Sequence, residues 1–330
     1  MESVKVSILL AARNEEDNML RCLQALDALD YPTHRLEICI GDDASSDATA
    51  AITKAFIRDK AQFKYFRIDQ ALPSLEGKAN VLAQLAQQAQ GEYFLFCDAD
   101  IAVQPGWCQA MLAGFSPQAG VVVGVTRMKK GNFLVDFLSL EWLFALFVMH
   151  LAALCGVAIT GLGNNMGVSR RAYESVGGYD RIGFSVVEDY ALFRAIVDRG
   201  FGFSMLFQPS ILSSSIPPAS FLEWKRQRIR WIRGVKDASW LLQATILVVA
   251  LSFPVLLLWA LVTPIVGGLF FLLHYTIFTS FAAVGVFRMR QMDLVRLVPF
   301  FWGYSLISLS LMVLYYFRSD TIAWKGREFA

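Results

Sequence analysis

Short apolar runs alternate with amphipathic stretches as far as residue 218, and beyond Asp237 charged positions become sparse. KVSILLA, LEICI, KYFRI, YFLFC and GVVVGV have strand length and are rich in β-branched and aromatic residues. Between them, residues 15–29, 48–56, 78–90 and 105–115 carry apolar side chains at helical spacing. Strand and helix in turn predict an α/β domain built on a parallel sheet with helices on both faces. Ligands of such sheets bind beyond the carboxyl ends of the strands. Three polar clusters follow three strands at that edge: ARNEE ending at Glu16, DDASSD starting at Asp42, and DAD starting at Asp98. They are expected to line one crevice.

Further along, residues 133–160 are apolar but include Asp136, Glu141 and His150. Those ionisable positions predict a buried or membrane-surface helix pair rather than a bilayer crossing. SRRAYESVGGYD reads as a helix begun by Ser169 and ended at Gly177 and Gly178. SVVEDYALFRAIVDRG reads as a helix capped near Ser185 and stopped by Gly200. No Asp, Glu, Lys or Arg occurs in 241–287 or in 297–317. A crossing takes about 20 apolar residues, so spans are placed near 241–261, 265–287 and 297–317, with Pro264 in a turn. The expected organisation is a nucleotide-binding domain over 1–218, an amphipathic interfacial helix over 219–237, a transmembrane region over 238–317 and a tail over 318–330.

Composition strengthens the membrane reading. The chain is 55% hydrophobic and 18% charged, against about 25% charged in an ordinary soluble domain. Residues 1–12 lack the apolar core of a secretory signal and carry Glu2, so the first half is expected to stay in the cytosol. Five cysteines without a CxxC pair read as reduced thiols rather than a zinc site. Lys225, Arg226, Arg228, Arg230, Arg233 and Lys236 precede the first span, and Arg288, Arg290 and Arg296 separate the second from the third. The positive-inside rule then places the N-terminal half in the cytosol, at the inner membrane if the cell is bacterial. Three crossings would export Arg318, Lys325 and Arg327, which leaves the side of the tail open. No nucleic-acid partner is implied, and oligomeric state is not encoded in any visible motif.

Several clusters have candidate chemistry beside a plainer alternative. Asp98 and Asp100, one residue apart, suit a hard cation such as Mg²⁺ or Mn²⁺ that also takes phosphate oxygens; a solvated turn is the alternative. Asp42 and Asp43 can meet a base or ribose, or simply stand exposed while Ser46 or Asp47 caps the next helix. Lys78 opens a helix where a phosphate could sit. Glu188 and Asp189 fall in a first helical turn, where the helix dipole favours acids in any case. Gln227, Arg230 and Trp231 share a helix face by their spacing, on a basic helix also suited to anionic lipid, which would take its lysines and other arginines.

Taken in order, DDASSD, DAD, ED and QRIRW resemble the membrane-bound family-2 glycosyltransferases of GT-A fold, which include ceramide glucosyltransferase-like enzymes and the processive cellulose and hyaluronan synthases. The likeness runs from residue 4 to about 235, and AARNEE, GKANVL and GNNMGVSRRAYESVGGYD add to it. It implies that Asp42 and Asp43 bind the nucleotide with help from Glu15 and Lys78, and that Asp98 and Asp100 hold the nucleotide-sugar diphosphate, Asp100 directly through a divalent metal. It further implies Asp189 as general base, and Glu188, Gln227, Arg230 and Trp231 on the acceptor and diphosphate side. Lys78 departs most from the pattern, because the residues after Gly77-Lys78 differ from the family's usual ones. The implied reaction is inverting transfer of a sugar from a nucleotide-diphospho-sugar, expected to be a UDP-sugar, to a lipid or glycan acceptor at the membrane. The alternatives are a processive polysaccharide synthase and, from another class, a membrane carrier with a nucleotide-binding domain.

Overall fold

The computed structural model describes residues 5–185, 187–236, 240–317, 322–324 and 327–329, and the side chains of 230–242, of 245 and of the residues after 317 lie outside that description. The chain forms two compact units, 1–127 with 148–216 and 128–147 with 217–330.

The first unit is built on strands β1 (Val6–Ala12), β2 (Leu36–Asp42), β3 (Phe63–Arg67), β4 (Tyr93–Asp98), β5 (Ile101–Ala102), β6 (Ala119–Val123), β7 (Val125–Met128), β8 (Met166–Ser169), β9 (Gly202–Met205) and β10 (Leu212–Ser215). Seven of them make one sheet in the order β3-β2-β1-β4-β8-β6-β9. Pairing is parallel from β3 through β4, but β8 runs antiparallel to both β4 and β6. The wholly parallel sheet expected from the alternation is therefore corrected to a mixed one. MGVS is too short and too weakly patterned for its direction to be read from sequence, and its pairing is set by contacts across the chain.

The strands facing both layers of helices are largely apolar: Ile8, Leu9, Leu10, Ile38, Ile40, Leu95 and Phe96 are each no more than 1% exposed. Helices α1 (Glu16–Asp27), α2 (Thr49–Ile57), α3 (Gly77–Gln88) and α4 (Trp107–Ala113) follow their strands, as the pattern predicts. Helix α1 turns Met19, Cys22, Leu23 and Leu26 inward, an i, i+3, i+4, i+7 stripe.

Asn165 holds the two sheets of this unit together. Its side chain is fully buried; Nδ2 donates to the carbonyls of Val125 and Ile211 and to Ser213 Oγ, while Oδ1 accepts from Trp107 Nε1 at 2.8 Å. Replacing it by Leu leaves those groups buried without partners. Each such group costs about 1–3 kcal/mol, so Asn165→Leu is expected to lower stability by at least 3 kcal/mol on the same scale, measured by thermal unfolding of the detergent-purified chain.

Residues 133–160 give one long helix, α5 (Phe133–Leu154), instead of a helix pair. It is long and apolar enough to cross a membrane, yet the strands before and after it, β4, β6, β8 and β9, hydrogen-bond within one sheet. A single crossing would put β8 and β9 on the far side of the bilayer from β4 and β6. The sheet therefore excludes α5 as a crossing and keeps the expectation of a buried or surface helix. Helices α6 (Arg170–Ser175) and α7 (Gly178–Ile182) follow β8. Ser169 Oγ accepts from Ala172 N to start α6, and Gly177 at φ 75° ends that segment, both as the sequence predicts. Helix α8 (Glu188–Asp198) begins beyond the expected cap at Ser185, whose Oγ accepts from Val187 N.

The second unit contains the start of α5 with helices α9 (Phe221–Lys236), α10 (Trp240–Val262), α11 (Val266–Arg288) and α12 (Phe301–Tyr316), the last continuing a 3-10 turn from Met292. Val266–Arg288 and Met292–Tyr316 are long and apolar enough to span a membrane, and α10 contributes a further apolar run over Ile246–Val262. Val262 and Ile265, at the charge-free α10–α11 turn, are 78% and 81% exposed, an apolar tip suited to lipid. Inside the unit an aromatic cluster of Phe144, Phe253, Phe278, Phe301 and Trp302 fills the space between helices. His274 of α11 accepts from Trp302 Nε1 at 2.9 Å and belongs to that packing.

Candidate active site

The register of the sheet brings the clusters together. β1 lies between β2 and β4, with Ala12 opposite Asp42 and Ala11 opposite Asp98. Two strand spacings put the Asp42 and Asp98 backbones about 10 Å apart across the end of β1. The buried run Tyr93–Asp98 thus has a definite purpose: a central strand, fixed on both faces by Phe94, Leu95 and Phe96, carries a carboxylate to the carboxyl edge without play.

The two loops beside β1 are stitched to each other. Asn14 N donates to Ser45 Oγ, Ser46 N to Asn14 Oδ1, Glu15 N to Thr49 Oγ1 at 2.7 Å, Glu16 N to Asp47 Oδ2, and Ala48 N back to Glu16 Oε2. Asp42 and Asp43 are buried rather than exposed. The Asp42 carboxylate accepts from Ser45 N, from Tyr65 Oη at 2.6 Å and from Arg67. Burial resists its charge, but the Ser45 hydroxyl and N–H, Tyr65 and Arg67 outweigh that and hold its pKa below the ordinary value. Asp43 lies 3.6 Å from Arg13 Nη1. Glu15 Oε2 accepts from Asn18 Nδ2.

The loop after β4 is clamped from the other side. Arg21 donates to the Asp100 carbonyl and to Ser214, and Ser215 Oγ donates to Asp100 Oδ2 at 2.8 Å. β5 pairs antiparallel with β10, Ala102 opposite Ser214. Arg21 and Ser215 were not visible as site residues in the sequence, because neither belongs to a motif and both act through a pairing formed over long separations.

Lys78 connects the DAD cluster to the ED pair. Its Nζ lies 2.6 Å from Asp98 Oδ1 and 3.0 Å from Glu188 Oε1, with the lysine side chain 18% exposed. Burial opposes the ammonium, yet Asp98, Glu188 and Asp189 together hold its pKa above the ordinary lysine value. Asp189 turns one oxygen to Tyr190 N at 2.7 Å and the other to Gly163 N at 2.5 Å. Burial first, then the neighbouring Glu188 charge, raises its pKa to about 6, against the opposing pull of Lys78 and the two N–H donors. Gly163 is required by this closeness, since a Cβ there would fall 2.9 Å from that of Asp189.

Asp98, Glu188, Asp189 and Lys78 are thus gathered in one place. Among the described residues no three acidic, histidine or cysteine side chains are grouped to hold a metal. Like charges at such range repel, and the structure resolves that by placing an ammonium between the carboxylates. The donor set still suits a hard divalent cation, because Asp98 and Asp100 offer only oxygens. Gln227 and the backbones of Arg230 and Trp231 lie on α9 in the second unit, as the helical spacing predicts; the Arg230 and Trp231 side chains lie outside the described residues. Arg228 departs from its expected place on lipid. It is 3% exposed and forms a two-pronged ion pair with Glu141 of α5.

Comparison with known proteins gives this geometry a context. The model of Glycosyl transferase family 21 matches residues 2–330. The beta-monoglucosyldiacylglycerol synthase of Trichormus variabilis is 30% identical over 237 residues, covering 69% of this chain and 48% of that protein. The poly-beta-1,6-N-acetyl-D-glucosamine synthase of Staphylococcus epidermidis is 28% identical over 233 residues, covering 69% of this chain and 54% of that protein. The chain spans about half the length of the curated relatives it matches. Among solved structures, the mannosyltransferase PcManGT from Pyrobaculum calidifontis, in complex with GDP-Man and Mn²⁺, superposes with a TM-score of 0.56 at 16% identity, covering 93% of this chain and 88% of that one. At that identity the likeness shows the fold, a mixed Rossmann-like α/β sheet of GT-A type followed by apolar helices.

Proposed function

The chain belongs to glycosyl transferase family 21, and from that membership we propose that it transfers a sugar from a nucleoside-diphosphate donor to a lipid acceptor presented at a membrane, with inversion at the anomeric carbon. The observation that carries this reading is the gathering of Asp98, Lys78, Glu188 and Asp189 at the carboxyl edge of a GT-A sheet. Asp42, Asp43 and Glu15 occupy loops on the other side of β1, where the stitched backbone offers a rigid seat for the nucleotide. Bound at Asp98 and Asp100, a divalent cation would act as a Lewis acid and stabilise the negative charge of the departing diphosphate. Lys78 supplies a further positive charge for the same phosphates. Asp189, held by Gly163 and Tyr190, accepts the proton of the acceptor hydroxyl as its oxygen attacks. A lipid acceptor is favoured by the long apolar helices of the second unit and by the lipid-glucosylating relative; the polymer-forming relative keeps a processive synthase as the rival.

The test is a screen of radiolabelled UDP- and GDP-sugars against membrane lipid extract, with and without Mn²⁺. A labelled single-sugar lipid is the expected product. Long polymer in its place would select the rival, and no sugar transfer from any donor would end the proposal.

The raised pKa of Asp189 fixes a pH dependence. A base must be ionised to work, so kcat/KM is expected to climb about tenfold per pH unit up to a pKa of about 6 and level off above it. Stability moves the other way. Between the ordinary value of 3.8 and about 6 the folded protein binds this proton and the unfolded chain does not, so the contribution of Asp189 is present below that window and lost as pH rises through it. A pH–rate profile with its acid limb near 4 would contradict the assignment.

A further inference from the structure

We propose that Lys78 is the built-in counter-ion of the donor-free crevice: its ammonium neutralises Asp98 and Glu188 until a donor diphosphate draws it away, so that a divalent cation is held there only together with a nucleoside diphosphate. The inference rests on the proposed donor chemistry and deepens it, because it assigns an order to binding that the motifs alone do not contain.

The geometry carries it. Lys78 opens α3 after Gly77, a residue at φ 57°, and this sharp entry aims the side chain at the end of β4. Its Nζ contacts an oxygen of Asp98 at 2.6 Å and one of Glu188 at 3.0 Å, with side-chain exposures of 18%, 30% and 15%. Asp98 is therefore claimed twice, by the lysine and by any cation at the DAD loop. A free divalent ion must displace or face a nearby ammonium, and both are repulsive or costly in a half-buried site. A nucleoside diphosphate changes the balance, since its phosphate oxygens accept the ammonium and leave Asp98 free. The other carboxylate of the loop supports the same division of labour. Asp100 is fixed through Ser215 and the Arg21 clamp, so it is held in place by contacts other than Lys78.

The experiment uses the full-length chain in detergent and titrates Mn²⁺ by electron paramagnetic resonance, alone and with UDP or GDP, for wild type, Lys78→Gln and Lys78→Arg. Wild type and Lys78→Arg are expected to bind Mn²⁺ weakly alone and at least tenfold more tightly with a nucleoside diphosphate. Lys78→Gln is expected to bind Mn²⁺ alone at least tenfold more tightly than wild type, and that gain should vanish in Lys78→Gln with Asp98→Asn. Unchanged or weaker binding of Mn²⁺ alone to Lys78→Gln, with nucleotide-dependent binding intact in wild type, overturns the role of Lys78 and leaves the donor reading standing. Absence of nucleotide-dependent Mn²⁺ binding in wild type removes both. Should Lys78→Gln not fold, the wild-type melting temperature decides. It is expected to stay put with Mn²⁺ alone and rise with Mn²⁺ plus nucleotide, and an equal rise in both conditions refutes the proposal.

Discussion

Asp189→Asn is expected to abolish sugar transfer while leaving nucleotide binding within about twofold of wild type, with a rate loss on the order of 10²–10⁴. The substitution keeps the shape of the side chain and removes its ability to take a proton. Asp189 receives two backbone N–H groups, from Gly163 and Tyr190, on separate oxygens, so an amide satisfies one of them with its oxygen and sets its NH₂ against the other, a local cost that leaves the neighbouring side chains in place. Burial already pushes this carboxyl toward its neutral form, so neutralising it permanently has a smaller folding cost than removing a carboxylate of ordinary pKa. The change in charge beside Lys78 is one unit, and Asp98 and Glu188 keep their direct contacts to that ammonium. Initial rates with a saturating acceptor, paired with equilibrium titration of the nucleoside diphosphate, separate chemistry from binding. Full turnover in the purified variant would refute the base assignment, and equal losses in rate and nucleotide affinity would move Asp189 to a role in donor seating.

The placement of these clusters at one sheet edge is legible in the sequence for a physical reason. Strand and helix periods are local, and the rule that α/β sheets bind ligands at the carboxyl edge turns Asp42 and Asp98 into neighbours once their strands are recognised. What escaped was everything decided by pairing at long range. Asp42 and Asp43 can be taken for exposed turn residues until Tyr65 and Arg67 of β3 are seen to close over Asp42. The antiparallel β8, the Asn165 junction and the Arg21–Asp100 clamp all depend on partners more than 40 residues away in most cases, and no local pattern announces them. Lys78 is instructive in the opposite sense. Its place at the start of α3 suits a phosphate partner, and the structure shows its ammonium on two carboxylates that no local pattern pairs with it. Helix α5 shows where length and hydropathy mislead: its composition allows a crossing, and only the continuity of the sheet on either side of it forbids one.

Glu141→Ala is expected to destabilise the second unit by about 3–5 kcal/mol, the usual cost of leaving one buried charge without its partner. Glu141 lies on the apolar helix α5 and accepts from both Nη groups of Arg228, from Tyr304 Oη at 2.9 Å and from Ser308 Oγ at 3.0 Å. Four donors from α9 and α12 thus converge on one carboxylate. Removing it takes the carboxylate from the Arg228 guanidinium, 3% exposed, and from two hydroxyls worth about 1 kcal/mol each. A charge in an apolar helix needs such a partner, and Arg228 of the basic helix α9 supplies it. The paired replacement Glu141→Leu with Arg228→Met tests the account from the other side. Burying apolar groups where an ion pair stood is often neutral or favourable, so the double variant should recover most of the melting temperature lost by either single change. Arg228 shares its helix with Gln227, Arg230 and Trp231, and the pair therefore also fixes the rotation of α9 about its axis. A double variant that melts like wild type but has lost turnover would show that this rotation matters to transfer. Single variants that melt like wild type would mean that the charges remain hydrated, contrary to the burial seen here.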